Sequence, residues 1–351
     1  MEQNQHDTAR PLSWGIVGTG NIAGQFCDGA KDTPRARFAA VGSRSIDKSQ
    51  AFAEAHHVEH AFGSYEEVLH DDTVDAVYIS LPNALHAEWT IKALDAGKHV
   101  LCEKPLAMNA DEAQAMFAAA ERNGRVLIEA FMYRCHPQFA ATCKLIADGA
   151  IGELRTIDAS FCYRMRDPAG NIRFAPELGG GAMMDIGCYC VDVIRVIVAH
   201  HTTEGIEPEP FHMSAVARQH PAGIDENASF VAQFGDGVLA TARVGMGVQM
   251  DNALRIGGTE GHLTIDVPWK PPQTDATIRV RRQTPPKMEG GGNAPPEQTH
   301  QVSADHPLFG LEAEAFAAAV LDNAEPFITP RETLANHRLM DRLKAMIRAG
   351  A

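Results

Sequence analysis

No stretch of this sequence reaches the roughly 18 consecutive apolar residues that a membrane-spanning helix requires, so a helical membrane protein is excluded. Basic residues are in the minority: 31 Lys and Arg against 45 Asp and Glu leave a formal net charge of −14. No Lys/Arg cluster offsets that balance, so neither nucleic acid nor an anionic membrane surface is an expected partner. The seven cysteines, at positions 27, 102, 135, 143, 162, 188 and 190, are odd in number and show no C-x-x-C spacing. They are expected to be reduced, mostly buried thiols in a cytoplasmic protein, with neither a disulfide framework nor a metal site. HHVEH at 56–60 follows AFAEA and reads as a helix end with exposed imidazoles, so no metal is expected there either. The amino-terminal MEQNQHDTARPL has no apolar core of the secretory kind and is expected to be a short frayed lead-in. No internal repeat is found.

What is present is enough chain, 351 residues of which 45% are hydrophobic, to form two domains. In the first third, short apolar runs at 14–17, 38–41, 76–79, 99–102 and 126–129 alternate with helical patterns. Asn109 and Glu112 form a cap before AQAMFAAAERN, and Gly124 suits its C-terminal stop. The expected fold class is α/β: a doubly wound parallel sheet over residues 1–133. An α+β domain with a large, mostly antiparallel open sheet is expected over 134–351, built from LRTIDASFCY, FHMSAVARQ, ASFVAQF, VLATARVGM, ALRIGG and HLTIDV. The Pro- and Gly-rich segments 201–210 and 284–300 read as exposed loops, and two Ala-rich helices close the chain at about 308–322 and 331–348.

The most informative stretch is SWGIVGTGNIAGQF, in which Gly18, Gly20 and Ala23 form G-x-G-x-x-A between a strand and a helix. Gly18 permits a tight turn, Gly20 lets backbone approach a pyrophosphate, and Ala23 allows close helix packing; Asn21 and Ile22 complete the turn. The helix N-terminus supplies N–H donors and partial positive charge to phosphates. About 20 residues on, where an NAD site places an acid against the ribose, this chain has Ser43, Arg44 and Ser45. An arginine and two hydroxyls suit a 2′-phosphate, so NADP is the expected cofactor, while the nearby Asp47 keeps NAD possible. Two further stretches carry chemistry. HVLCEKPLAMN places Glu103 and Lys104 at the C-terminal edge of the sheet. GGGAMMDIGCYCVD sets Asp185 and Tyr189 four apart, on one helical face, with Asp192 near it.

Taken in order, GTGNIA, SRS, ISLPNALHAEW, GKHVLCEKPLAMN, EAFMYRCHPQ and GGGAMMDIGCYCVD closely resemble the Gfo/Idh/MocA oxidoreductase family across nearly the whole chain. The resemblance implies a Rossmann domain, a second domain whose open sheet joins subunits into a homodimer or homotetramer, and hydride transfer between NAD(P) and a hydroxyl carbon. It places Lys104 by the nicotinamide and the reacting hydroxyl, with Glu103 beside it, and Pro82, Asn83 and His86 along the cofactor site. Where many members have histidine this chain has Tyr189, which resembles the branch of glucose-fructose oxidoreductase, dimeric dihydrodiol dehydrogenase and NADP-dependent xylose dehydrogenase.

Tyr189 is then expected to exchange the substrate proton, its phenolate favoured by Lys104 and oxidised nicotinamide, while Asp185 orients substrate. Arg164, Arg166 and Arg173, with Asn171, are candidate substrate contacts. The expected activity is that of an NADP-preferring oxidoreductase on a sugar, polyol or related cyclic alcohol. Two other readings stay open: an enzyme that retains NADP and recycles it between two substrates, and a non-catalytic NADPH-binding regulator. A methyltransferase is disfavoured by the Ser-Arg-Ser and Glu-Lys-Pro stretches.

Overall fold

The computed structural model describes residues 10–166, 169–201, 209–282 and 297–350. The amino-terminal lead-in up to residue 9, and most of the two segments read as exposed loops, lie outside the described residues.

Strand β1 (Leu12–Val17) is buried at every position, as a central strand covered on both faces must be. Around it lie β2 (Ala36–Gly42), β3 (His60–Phe62), β4 (Ala76–Ile79), β5 (His99–Glu103) and β6 (Leu127–Ala130), all parallel, in the order β3-β2-β1-β4-β5-β6. The edge strand β3 is an addition to the expected set; three residues are too few to show periodicity. Helices α1 (Asn21–Ala30), α2 (Ile46–His56), α3 (Tyr65–Leu69), α4 (His86–Asp95) and α5 (Ala110–Asn123) make the crossovers. The Asn109 side chain accepts from the Glu112 N–H, and Gly124 ends α5 in the left-handed region, as the sequence indicates. Strand order reverses between β1 and β4, which opens a crevice at their C-terminal ends.

After α6 (Pro137–Ala147), strand β7 (Leu154–Cys162) and helix α7 (Cys188–His201) begin a second sheet. Its remaining strands are β8 (His212–Gln219), β9 (Asp225–Gln233), β10 (Leu239–Gly245), β11 (Leu254–Gly258), β12 (Gly261–Ile265), β13 (Ala276–Arg282) and β14 (Gln298–Val302). The order is β14-β13-β12-β11-β7-β10-β9-β8, and only β7 with β10 is parallel. β13 carries a period-2 signal, with Ala276, Ile278 and Val280 buried, that the sequence reading passed over. One face of this sheet lies on α7, which is buried from Cys188 to Val198. The other face exposes Val216, Val231 and Leu239.

Helix α8 (Leu308–Leu321) returns to the first sheet and packs on α1, where a β-carbon at Gly29 would stand 2.8 Å from Phe309. Helix α9 (Pro330–Ala349), started by a Thr329/Glu332 capping box, lies on α5 and α7. All seven cysteines are free thiols, and all but Cys135 are buried. Among the described residues no helix is long and apolar enough to cross a membrane.

Phe316 of α8 is fully buried, with its ring 5.0 Å from that of Trp14 in β1. Phe316→Ala is expected to destabilise the protein by about 3–5 kcal/mol, read as a lower urea midpoint, because the cavity it leaves joins two distant parts of the chain.

Candidate active site

The end of β1 turns through Gly18 at φ +103°, where a β-carbon would press on Ser80 and Leu81 at 3.1 Å. Gly20 differs: the nearest atom to a β-carbon there is Ser80 O at 3.9 Å, so nothing inside the protein demands its missing side chain. Helix α1 then begins with no side-chain cap and no acid in its first turn, while Ala23 is buried in the core. Its free N–H groups at Asn21 and Ile22 therefore face a space kept clear by Gly20, the cradle a pyrophosphate fills. Past the end of β2, Ser43 is buried, and its Oγ accepts from the Ser45 N–H at 3.4 Å. Arg44 between them is exposed and has no hydrogen bond or ion pair among the described residues. These residues fit a phosphorylated dinucleotide.

Pro82 and Asn83 start the turn after β4. Asn83 Nδ2 donates to Gly179 O at 2.8 Å, which ties this turn to the glycine run from the other half of the chain. His86 borders the cleft, but its ring nitrogens lie 2.9 Å from Pro105 O and 2.8 Å from Leu81 O. It braces the turn after β4 against the turn after β5, and burial holds its pKa below the usual value. Glu103 accepts from the buried Tyr78 hydroxyl, and burial raises its carboxyl above the usual range.

These turns and the second sheet enclose a cleft of about 670 Å³. At its centre Lys104 Nζ donates to Asp185 O at 2.7 Å and lies 3.5 Å from Asp185 Oδ1. Arg173 Nε is 3.0 Å from the same Oδ1, and the Tyr163 hydroxyl donates to Oδ2 at 2.5 Å. Burial acts to discharge both members of the central pair. For Lys104 it is outweighed by Asp185, Cys188 and Glu103, which hold the ammonium pKa above its usual value. For Asp185 it is outweighed by Lys104, Arg173 and their hydrogen-bonding neighbours, which hold the carboxyl below its usual range. A π-helical turn, Met183–Gly187, precedes α7 and aims Asp185 into the cleft one turn before Tyr189. Gly181, at φ +117°, leads into that turn, and a β-carbon there would stand 2.2 Å from Asp225 Oδ1.

The Lys104 ammonium lies 5.2 Å from the centre of the Tyr189 ring, over its face. The Tyr189 hydroxyl donates to Met132 Sδ at 3.3 Å. Burial, with Glu103 and Cys188 nearby, pushes the phenol well above its usual pKa, so the expectation of a favoured phenolate is corrected for the protein alone: Tyr189 rests as an O–H donor.

A model described as "Oxidoreductase family, NAD-binding Rossmann fold" matches residues 12–131, and one for the "GFO/IDH/MocA C-terminal domain" matches 139–264. The chain belongs to the Gfo/Idh/MocA family. It is 32% identical to D-xylose 1-dehydrogenase (NADP(+)) 2 of Haloferax volcanii, over 97% of this chain and 98% of that one. Its structure is similar, at TM-score 0.85 and 31% identity over 97% and 98% of the two chains, to KijD10, a 3-ketoreductase from Actinomadura kijaniata in complex with NADP and TDP-benzene. KijD10 is also known as variants with a tyrosine changed to phenylalanine or a lysine changed to alanine or glutamate. An aldose-aldose oxidoreductase from Caulobacter crescentus superposes at TM-score 0.83, with 26% identity over 97% and 99% of the chains.

In this member of the Gfo/Idh/MocA family, several expected contacts fall elsewhere. Arg164 and Arg166 are exposed and outside the cleft lining; only Arg173 of the three arginines lines it. Asp192 is turned inward, accepting from the Tyr133 hydroxyl, Arg134 and Asn336. Tyr163, Met132, Phe161 and Trp269 line the cleft without having been singled out. Tyr163 directly follows the alternating strand β7, the one signal that could have aimed it.

The two glycines of the turn separate stability from binding. Gly18→Ala is expected to destabilise the fold by about 1–3 kcal/mol through backbone strain. Gly20→Ala is expected to change stability by less than about 1 kcal/mol yet weaken dinucleotide binding at least tenfold, read by nucleotide fluorescence titration beside thermal unfolding.

Proposed function

We propose that this chain is an NADP-preferring oxidoreductase that moves hydride between the cofactor and a hydroxyl carbon of a sugar, polyol or related cyclic alcohol. The observation that carries the reading is the placement of Lys104 and Tyr189, from different halves of the chain, beside each other in one cleft that the open glycine turn borders. The similarity to a D-xylose dehydrogenase, a 3-ketoreductase and an aldose-aldose oxidoreductase supports the substrate class.

In this reading Gly18, Gly20, Asn21, Ile22 and Ala23 hold the pyrophosphate, and Ser43, Arg44 and Ser45 hold the 2′-phosphate. Pro82, Asn83, His86, Glu103 and Lys104 border the nicotinamide, which supplies or takes the hydride when bound. Lys104 donates a hydrogen bond to the reacting oxygen and steadies negative charge on it. In the reducing direction Tyr189, a phenol at rest, gives its proton to that oxygen and is reprotonated from solvent; in the oxidising direction the phenol first loses its proton to solvent, and the phenolate then takes the proton of the substrate hydroxyl. Asp185 acts through Lys104, fixing the ammonium's position and charge. The outer face with Val216, Val231 and Leu239 supports self-association through the second sheet.

Tyr189→Phe is expected to lower kcat by about 100-fold or more, with NADP reduction at 340 nm measured across aldoses, polyols and dihydrodiols. Equal turnover by this variant and the wild type would refute the proton-transfer role. Arg44→Ala is expected to raise the KM for NADP by about 10- to 100-fold and leave that for NAD nearly unchanged; equal losses for both cofactors would refute the 2′-phosphate assignment. Absence of turnover across the panel, with tight NADPH binding, would favour a regulator.

A further inference from the structure

The chemistry above leaves two buried features without a purpose: the resting hydrogen bond of Tyr189 and the polar network around Asp192. Met132 Sδ is the one hydrogen-bond partner of the Tyr189 hydroxyl among the described residues, and a thioether sulfur is a weak acceptor. Tyr189 is only 3% exposed, so its hydroxyl is short of bulk water. Its ring is boxed by those of Phe131, Phe161, Trp269 and Tyr133, with centroids 5.2, 5.3, 5.8 and 5.9 Å away, so the phenol cannot swing to a better partner. Both the phenol and the sulfur border the cleft.

The turn that carries the sulfur is tied down through the residues that follow it. Met132 opens the short turn Met132–Cys135, whose next two residues bind Asp192: the Tyr133 hydroxyl donates to it, and Arg134 Nη1 lies 3.2 Å from Oδ1. Arg134 also donates to Glu332 at 2.6 Å, and Asn336 Nδ2 donates to Asp192 at 2.8 Å. Asp192 stands three residues after Tyr189 on α7. The network therefore ties the turn that carries the sulfur to the helix that carries the phenol, and sets the distance between them.

We propose that Met132 is a positioning residue whose sulfur parks the Tyr189 hydroxyl in a bond weak enough for the substrate oxygen to displace. This rests on the proton-transfer role given to Tyr189 above. A buried O–H with a poor acceptor gains most from a strong one, so the exchange from sulfur to substrate oxygen is favourable. An amide oxygen at position 132 would compete with the substrate and hold the hydroxyl back. The charged and titratable groups around the phenol, Lys104 over its face with Glu103, Cys188, Glu312, Asp185 and Tyr133 about it, are unchanged by a neutral substitution at 132.

The test compares Met132→Leu, Met132→Gln and Tyr189→Phe with the wild type, using the panel substrate with the highest rate. Thermal unfolding and NADPH binding report whether each variant folds. Met132→Leu is expected to lower kcat/KM by up to about fivefold. Met132→Gln is expected to lower it by at least about thirtyfold and to move the tyrosine-dependent limb of its pH profile upward, because a bond donated by the neutral phenol disfavours its ionisation. Equal losses in the leucine and glutamine variants, or an unmoved limb in glutamine, would overturn the proposal. Should the glutamine variant not fold, leucine alone decides: a folded Met132→Leu with a loss beyond thirtyfold would show that the sulfur is needed as more than a weak acceptor. If Tyr189→Phe keeps wild-type turnover, the failure lies instead with the role of Tyr189.

Discussion

The carboxylate of Asp185 sits almost out of water with a positive or donating group on each side: Lys104 at 3.5 Å, Arg173 at 3.0 Å and Tyr163 at 2.5 Å. An ionised carboxylate is tolerated at such depth only when its charge is matched and its lone pairs are occupied, and removal of one partner from a buried pair typically costs about 3–5 kcal/mol. The same constraint works in reverse on Lys104, whose ammonium is disfavoured by burial and held charged by Asp185, with Cys188 and Glu103 adding to it. Because Lys104 follows β5 of the first sheet while Tyr163, Arg173 and Asp185 all follow β7 of the second, this ion cluster also ties the two sheets together around the cleft.

Close backbone approach makes that junction possible. The run Gly179–Gly181 passes between Asn83 and Met108 on one side and Asp225 on the other, with no room for side chains. The π-helical turn that follows then delivers Asp185 to Lys104 before regular helix resumes at Cys188. Tyr189, one turn further, meets the aromatic wall of Phe161 and Trp269, whose rings stack at 5.5 Å. Asp185 with its charged partners and Tyr189 with Phe161 and Trp269 thus line one and the same cleft.

Sequence made the first sheet legible because strand, glycine turn and helix follow one another with distinct periodicities, and Gly18, Gly20 and Ala23 mark the boundary. Lys104, Asp185 and Tyr189 were identifiable by type and position, and they do share a cleft. The direction of a side chain was less legible. Asp192 lies three residues beyond Tyr189 yet turns into a buried network, because Tyr133, Arg134 and Asn336 from distant segments converge on it. Arg164 and Arg166 share a short segment with Tyr163, but only the tyrosine faces the cleft. The upward pressure on the Tyr189 phenol comes from burial that only the assembled core creates.

The central claim, that Asp185 raises the pKa of the half-buried Lys104 ammonium against the effect of burial, is open to direct titration. Carbon-13 NMR of the lysine ε-methylene would follow Lys104 in the wild type and in Asp185→Asn, with Lys104→Met assigning the resonance. The account predicts that the wild-type ammonium stays protonated past the usual lysine pKa, while the asparagine variant, in which the largest of the charges opposing burial is gone, loses its proton at lower pH. Coincident titration of Lys104 in the two proteins would contradict it.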